Sequence, residues 1–185
     1  FITDSKQFNL LITYTHCIFA TKIQSLMQQQ IRNILIKYWG YSYFRPLQED
    51  IILSVLSGND TLALLPTGGG KSITFQVPAL AKDGMCIVIT PLIALMKDQV
   101  QNLRAKGIPA NAIYSGMNQN EINYILHNAV KDELKLLYIS PERAITDSFR
   151  QMFKKMNVNL IAVDESHCIS QWGYDFRPPY LRIAE

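Results

Sequence analysis

An α/β fold on a mainly parallel sheet, with helices on both of its faces, is what this sequence predicts. Three observations carry that expectation. Apolar runs of strand length recur along the chain, helix-length patterns separate them, and the runs are apolar at consecutive positions instead of alternate ones. Strands apolar on both faces belong to a sheet covered on both sides, and the intervening helices are the crossovers that parallel strands need. Neither repeats nor low-complexity linkers interrupt the alternation, so residues 27–185 read as one domain after an N-terminal extension over 1–26.

Taken in order, the first stretch is "FNLLITYTHCIFA" (8–20). It is shorter than the roughly 20 residues of a bilayer span, and it lacks the basic flank and cleavage site of a secretory signal. No membrane partner is expected. Residues 1–26 read as an appended helix or strand, or as sequence upstream of a natural start at Met27, and are expected to be dispensable. Residues 28–38 place Ile31, Ile34, Leu35 and Tyr38 at helical spacing. A second helix is expected after Pro46, with Ile51, Ile52, Val55 and Leu56 facing inward until Gly58. Strands are expected over 61–65, 85–90, 111–115, 134–140 and 158–164, with helices around 71–81, 93–106, 118–131 and 148–156.

The net charge of +3 permits an acidic partner such as nucleic acid but does not require one. Cys17, Cys86 and Cys168 are odd in number, widely spaced and without a C-x-x-C pair. Neither a disulfide framework nor a zinc site is indicated, and a reducing, intracellular compartment is expected.

Ligands of parallel α/β sheets bind beyond the carboxyl ends of the strands, and the unusual residues fall there. "PTGGGKS" (66–72) follows the expected strand 61–65 and opens the next helix. A loop of Thr67, Gly68, Gly69 and Gly70 at a helix N-terminus lets backbone N–H groups converge on phosphate oxygens. Lys71 would then reach the β and γ phosphates of a nucleotide, and Ser72 would ligate Mg²⁺. The strict G-x-x-x-x-G-K-[ST] pattern is not met, because Leu65 holds its first glycine position. A glycine-rich structural turn is the alternative.

"LIAVDESH" (160–167) ends an apolar strand with adjacent carboxylates. Alone, these would read as a solvated turn or helix cap. Beside a phosphate loop, Asp164 fits a Mg²⁺ ligand, usually through water, and Glu165 fits the group that orients and deprotonates the attacking water. His167 is either a packed or surface histidine or a coupling residue of this set. "CISQWGYDFRPPY" (168–180) then brings Trp172, Tyr174, Phe176, Arg177 and Tyr180. Aromatics interleaved with arginine stack on bases and hold phosphate in single-strand binding sites; a loop whose aromatics plug the core is the alternative.

The order "YWGYSYFRPLQ" (38–48), "LPTGGGKS", "ITPLIALMKDQV" (89–100), "LLYISPER" (136–143) and "AVDESHCISQWGYDFRPPY" (162–180) resembles the first RecA-like lobe of RecQ-family DNA helicases over residues 27–185. The resemblance implies a P-loop NTPase lobe with ATP and Mg²⁺ as cofactors. It implies that Tyr41 lies against the adenine while Arg45 and Gln48 position or read it, and that Lys71, Asp164, Glu165 and His167 serve catalysis. Lys97, Gln99, Ser140 and Arg143 would line the DNA track, and Gln171, Trp172, Phe176 and Arg177 would sense single-stranded DNA and relay it to the nucleotide. Leu47 stands where the family usually has glycine, Ser166 where it has alanine, Tyr174 where it has histidine and Pro179 where it has glutamate.

The resemblance further implies partners: single-stranded DNA, duplex junctions, and a second RecA-like lobe that supplies an arginine finger. The chain ends at Glu185, before that lobe, so poor turnover in isolation is expected. The whole would unwind duplex with 3′ to 5′ polarity, in the nucleoid-associated cytoplasm of a bacterium or the nucleus of a eukaryote. Two alternatives stay open: a superfamily-two RNA helicase, and a non-catalytic nucleotide-dependent nucleic-acid-binding module.

Overall fold

The elements follow one another as α1 (Ser5–Trp39), α2 (Gln48–Leu56), α3 (Ile73–Ala81), β1 (Met85–Ile89), α4 (Ile93–Ala105), β2 (Ala110–Ile113), α5 (Gln119–Val130), β3 (Leu136–Ile139), α6 (Pro141–Ala144), α7 (Asp147–Phe153) and β4 (Val158–Val163). The computed structural model describes residues 5–66, 68–166 and 182–183, with side chains from residue 21 onward. It divides into two compact units, Phe1–Thr74 and Phe75–Glu185.

The second unit is the sheet. Its strands are all parallel in the order β2-β3-β1-β4. Every residue of β1 and β3 is buried. Successive strand residues point to opposite faces, so both faces of these two strands are covered, as consecutive apolar positions predict. On one face Met85, Ile87, Ile89, Ile113, Leu137 and Ile139 join a core with Ile122, Ile125 and Leu126 of α5 and Phe149 of α7. On the other, the buried Tyr138 hydroxyl accepts from Gln76 Nε2 of α3 at 3.0 Å, and the same nitrogen donates to Gln99 Oε1 of α4 at 2.9 Å. A buried amide and phenol need such partners. Burial also pushes the Tyr138 hydroxyl above its ordinary pKa, against the opposing pull of the Gln76 hydrogen bond, with Cys86 and Asp164 raising it further.

The first unit is helical among the described residues. Ile31 and Leu35 are buried on the expected stripe of α1 and Ile52 on that of α2, and the two helices pack together. An exposed Arg32–Glu49 ion pair at 3.1 Å joins them, an arrangement worth at most about 1 kcal/mol. The helix expected over 28–38 is the end of α1, which runs through Met27 without a break. α2 stops where expected: Ser57 N–H donates to Leu53 O, and Gly58 follows at φ +83°, the left-handed conformation that ends helices.

One expected strand does not form. Residues 59–66 have no strand pairing, and Leu62 and Leu64 are 72% and 77% exposed. A strand exists through the ladder of a neighbour, and no strand occurs among the described residues of the first unit to supply one. The apolar run "TLALL" is therefore irregular chain leading into the glycine loop.

Candidate functional site

In the first unit the segment 45–48 holds the glycine loop by its carbonyls. Gln48 is only 2% exposed, and both ends of its amide are engaged. Its Oε1 accepts the Arg45 N–H at 2.9 Å, while its Nε2 donates to Gly69 O and Gly70 O, each at 3.0 Å. Arg45 Nη1 donates to the next carbonyl back, Gly68 O. Three consecutive glycine carbonyls are thus bound by two side chains. The loop turns tightly: Gly69 N–H donates to Pro66 O at 2.9 Å, and Gly68 and Gly70 have φ of +77° and +75°. A Cβ on Gly70 would lie 2.5 Å from Gln48 Nε2, so glycine is needed there for both conformation and space. α3 then starts directly, with Ile73 N–H on Gly70 O and Thr74 N–H on Lys71 O.

This arrangement adds to the expectation for Gln48. Its donors are occupied by the loop, which makes the residue a support of the loop in this structure. Tyr41, expected against a base, is 55% exposed. Leu47 has φ +69° immediately before α2. The glycine usual in the resembling family takes that conformation without penalty, whereas a leucine pays about 1 kcal/mol. Thr67 lies outside the described residues.

In the second unit the parallel register lines up the residues just past the strand ends. Ile113, Ile139, Ile89 and Val163 are partners across the sheet. The next residues therefore form a row: Tyr114, Ser140, Thr90 and Asp164. Backbone bonds extend the ladders into it, from Ser140 N–H to Ile113 O, Thr90 N–H to Ile139 O and Asp164 N–H to Ile89 O. With strands about 4.8 Å apart, the row spans about 14 Å. At one end, Asp164 Oδ1 accepts the N–H of Glu165 at 3.0 Å, and Glu165 has φ +53°. A left-handed non-glycine residue is uncommon, and here it turns the chain sharply after the first carboxylate. Thr90 Oγ1 reaches Asp164 Oδ2 at 3.5 Å, a long contact.

Of the residues expected on a DNA track, Lys97 is exposed on α4, with its ammonium 5.0 Å from the centre of the Tyr114 ring. Arg143 is half-buried on α6. The other two are Gln99 and Ser140. Gln99 is half-buried and bonded to Gln76. Ser140 is 3% exposed, and its hydroxyl has no hydrogen-bond partner among the described residues. His167, Gln171, Trp172, Phe176 and Arg177 lie outside the described residues.

The profile of the DEAD/DEAH box helicase family matches residues 45–185, from the arginine of the loop clamp to the end of the chain. The chain belongs to this family. Among curated relatives it is 46% identical, over 82% of its length, to the ATP-dependent DNA helicase RecQ of Haemophilus influenzae, and covers 25% of that protein. It is 42% identical over 85% of its length to the ATP-dependent DNA helicase RecQ of Synechocystis sp., covering 33% of it. The chain thus spans a quarter to a third of the length of these relatives. A solved hypothetical ATP-dependent RNA helicase from Sulfolobus tokodaii matches with a TM-score of 0.61 at 19% identity, over 84% of this chain and 46% of that one. That likeness is one of fold, and with the parallel sheet it gives the expected RecA-like lobe.

Within this DEAD/DEAH box chain, Thr90 and Tyr114 were not singled out from sequence. Each is the residue following an apolar strand, a position that would have flagged them once the strand ends were known. Among the described residues, no helix is long and apolar enough to cross a membrane.

Proposed function

We propose that this chain is the ATP-binding lobe of an ATP-dependent DNA helicase. The observation that carries the nucleotide half is the glycine loop 68–70, bent at two left-handed glycines, held by its carbonyls and running directly into α3. Such a loop presents backbone N–H groups and a helix N-terminus to phosphate. The DNA half rests on the relatives named ATP-dependent DNA helicase RecQ.

On this reading Lys71 places its charge on the β and γ phosphates, and Tyr41 covers the adenine with its exposed ring. Asp164 and Ser72 are the groups to hold Mg²⁺. Both offer oxygen, which suits this hard cation. No group of three or more His, Cys, Asp or Glu suited to a metal is found among the described residues. Bound there, Mg²⁺ supplies charge neutralisation to the phosphates. Glu165 accepts a proton from the attacking water. Lys97 and Arg143 hold DNA phosphates, while His167 and the loop bearing Gln171, Trp172, Phe176 and Arg177 couple DNA to hydrolysis. Residues 1–26 are dispensable for this work, and a second lobe completes the site and permits 3′ to 5′ unwinding.

The test is stimulation of the full-length protein's ATPase by single-stranded DNA compared with RNA of the same length. DNA is expected to stimulate several-fold more than RNA. Greater stimulation by RNA would favour an RNA helicase, and ATP binding with no turnover under either polymer would favour a non-catalytic binding module.

A further inference from the structure

We infer that Tyr114 is a positioning residue for single-stranded DNA, its ring holding the Lys97 ammonium in place for a backbone phosphate. The inference rests on the proposed reading of Lys97 as a phosphate contact and goes further by assigning what aims that charge. Lys97 is exposed on α4, and the root of its side chain is fixed because Met96, Val100 and Leu103 of the same helix are buried. Beyond that root runs a long flexible stem, and ordering such a stem opposes binding. The Tyr114 ring orders it before any ligand arrives. The ammonium stands 5.0 Å from the ring centre, within reach of a cation–π attraction.

The residue that carries the ring is itself anchored. The Tyr114 N–H donates to Met117 Sδ at 3.4 Å, and the carbonyl of the preceding Ile113 accepts the Ser140 N–H at 3.2 Å. The choice of a ring as the partner matters for function. A carboxylate would hold Lys97 and cancel its charge, whereas a neutral ring holds the ammonium and leaves the whole charge for an anion. Among the described residues no carboxylate pairs with Lys97. Its charge therefore stands beside Tyr114, the first residue of the row that ends at Asp164, past the carboxyl ends of the strands where ligands of such sheets bind.

Binding of a single-stranded DNA oligonucleotide to the full-length protein, followed by fluorescence anisotropy over a range of salt concentrations, tests this with Tyr114→Leu, Tyr114→Phe, Lys97→Met and the double variant Tyr114→Leu/Lys97→Met. Tyr114→Leu should weaken binding about two- to fivefold, the size of a cation–π contact, while Tyr114→Phe keeps the ring and should bind like the unsubstituted protein. Lys97→Met should lower the steepness of log affinity against log salt by about 0.7, the share of one phosphate contact on a single strand. Tyr114→Leu should lower it part of the way, which an uncharged residue does only by acting through a charged one. In the double variant Tyr114→Leu should add nothing to the loss from Lys97→Met. An equal loss from Tyr114→Leu in the Lys97→Met background would overturn the inference and make Tyr114 a contact of its own or a support of the fold. Unchanged affinity or an unchanged salt slope in Tyr114→Leu, beside a weakened Lys97→Met, would overturn the inference and leave the phosphate reading of Lys97 standing. A loss in Tyr114→Phe as large as in Tyr114→Leu would overturn it by moving the effect to the hydroxyl. Unchanged affinity and slope in Lys97→Met would overturn the phosphate reading and the inference together. Should Tyr114→Leu not melt cooperatively, Tyr114→Met carries the same test with the same outcomes.

Discussion

Glu165→Gln in the full-length protein is expected to leave Mg²⁺-ATP binding nearly unchanged while hydrolysis falls by about 10² to 10⁴. The amide has the carboxylate's size, and the backbone that presents it does not depend on the side chain's charge. That backbone is fixed by the Asp164 N–H on Ile89 O and by the Glu165 N–H on Asp164 Oδ1. What disappears is the proton acceptor. Equilibrium binding of a fluorescent nucleotide and steady-state phosphate release separate the two effects. Normal turnover in Glu165→Gln would move the base elsewhere, and lost binding would make Glu165 part of the nucleotide's support.

Lys71→Ala should act at the opposite step, lowering Mg²⁺-ATP affinity or turnover by one to several orders of magnitude. Lys71 directly follows the clamped glycines and precedes α3, whose first hydrogen bonds are made by the backbone of Gly70 and Lys71. Thr74 Oγ1 also donates to Lys71 O at 2.6 Å. The helix start is therefore secured by main-chain atoms, and truncating the side chain should spare the fold. A charge-assisted contact to phosphate is worth about 1.5 to 3 kcal/mol in binding, or roughly ten- to a hundredfold, and more where charge develops during reaction. Calorimetric titration with a parallel melting curve measures this. Unchanged affinity and turnover in a folded Lys71→Ala protein would remove the phosphate-loop assignment.

The sheet was legible because its signal is compositional. Consecutive apolar residues at 85–89 and 136–139 announce strands buried on both faces, and both strands are. "TLALL" has the same composition but forms no strand, because pairing depends on which neighbour is present and not on the run itself. The end of α1 was readable from Ile31 and Leu35, while its extent back to Ser5 was not, since the apolar positions before residue 27 do not recur with one clear period.

The candidate site was legible wherever residue type carries the chemistry, as at Lys71, Asp164 and Glu165. It was less legible where position carries it. That Gln48 binds two glycine carbonyls twenty-odd positions away is a side-chain-to-backbone contact that no periodicity encodes. Tyr114 and Thr90 belong to the row ending at Asp164 only by strand register. Ser140 lies in a motif that reads as DNA-facing, and its burial between β3 and α6, where its backbone N–H extends the ladder to Ile113 O, follows from register and not from residue type.

On the proposed reading, residues 68–72 bind the phosphates of ATP. Assigned amide resonances of the chain, followed while Mg²⁺-ATP and then adenosine are added, test it most directly. Mg²⁺-ATP is expected to shift the amides of Gly70 and Lys71 most strongly, with their loop neighbours following, and adenosine to leave them where they were. Large shifts confined to residues outside the loop, or equal shifts of the loop with adenosine, would contradict it.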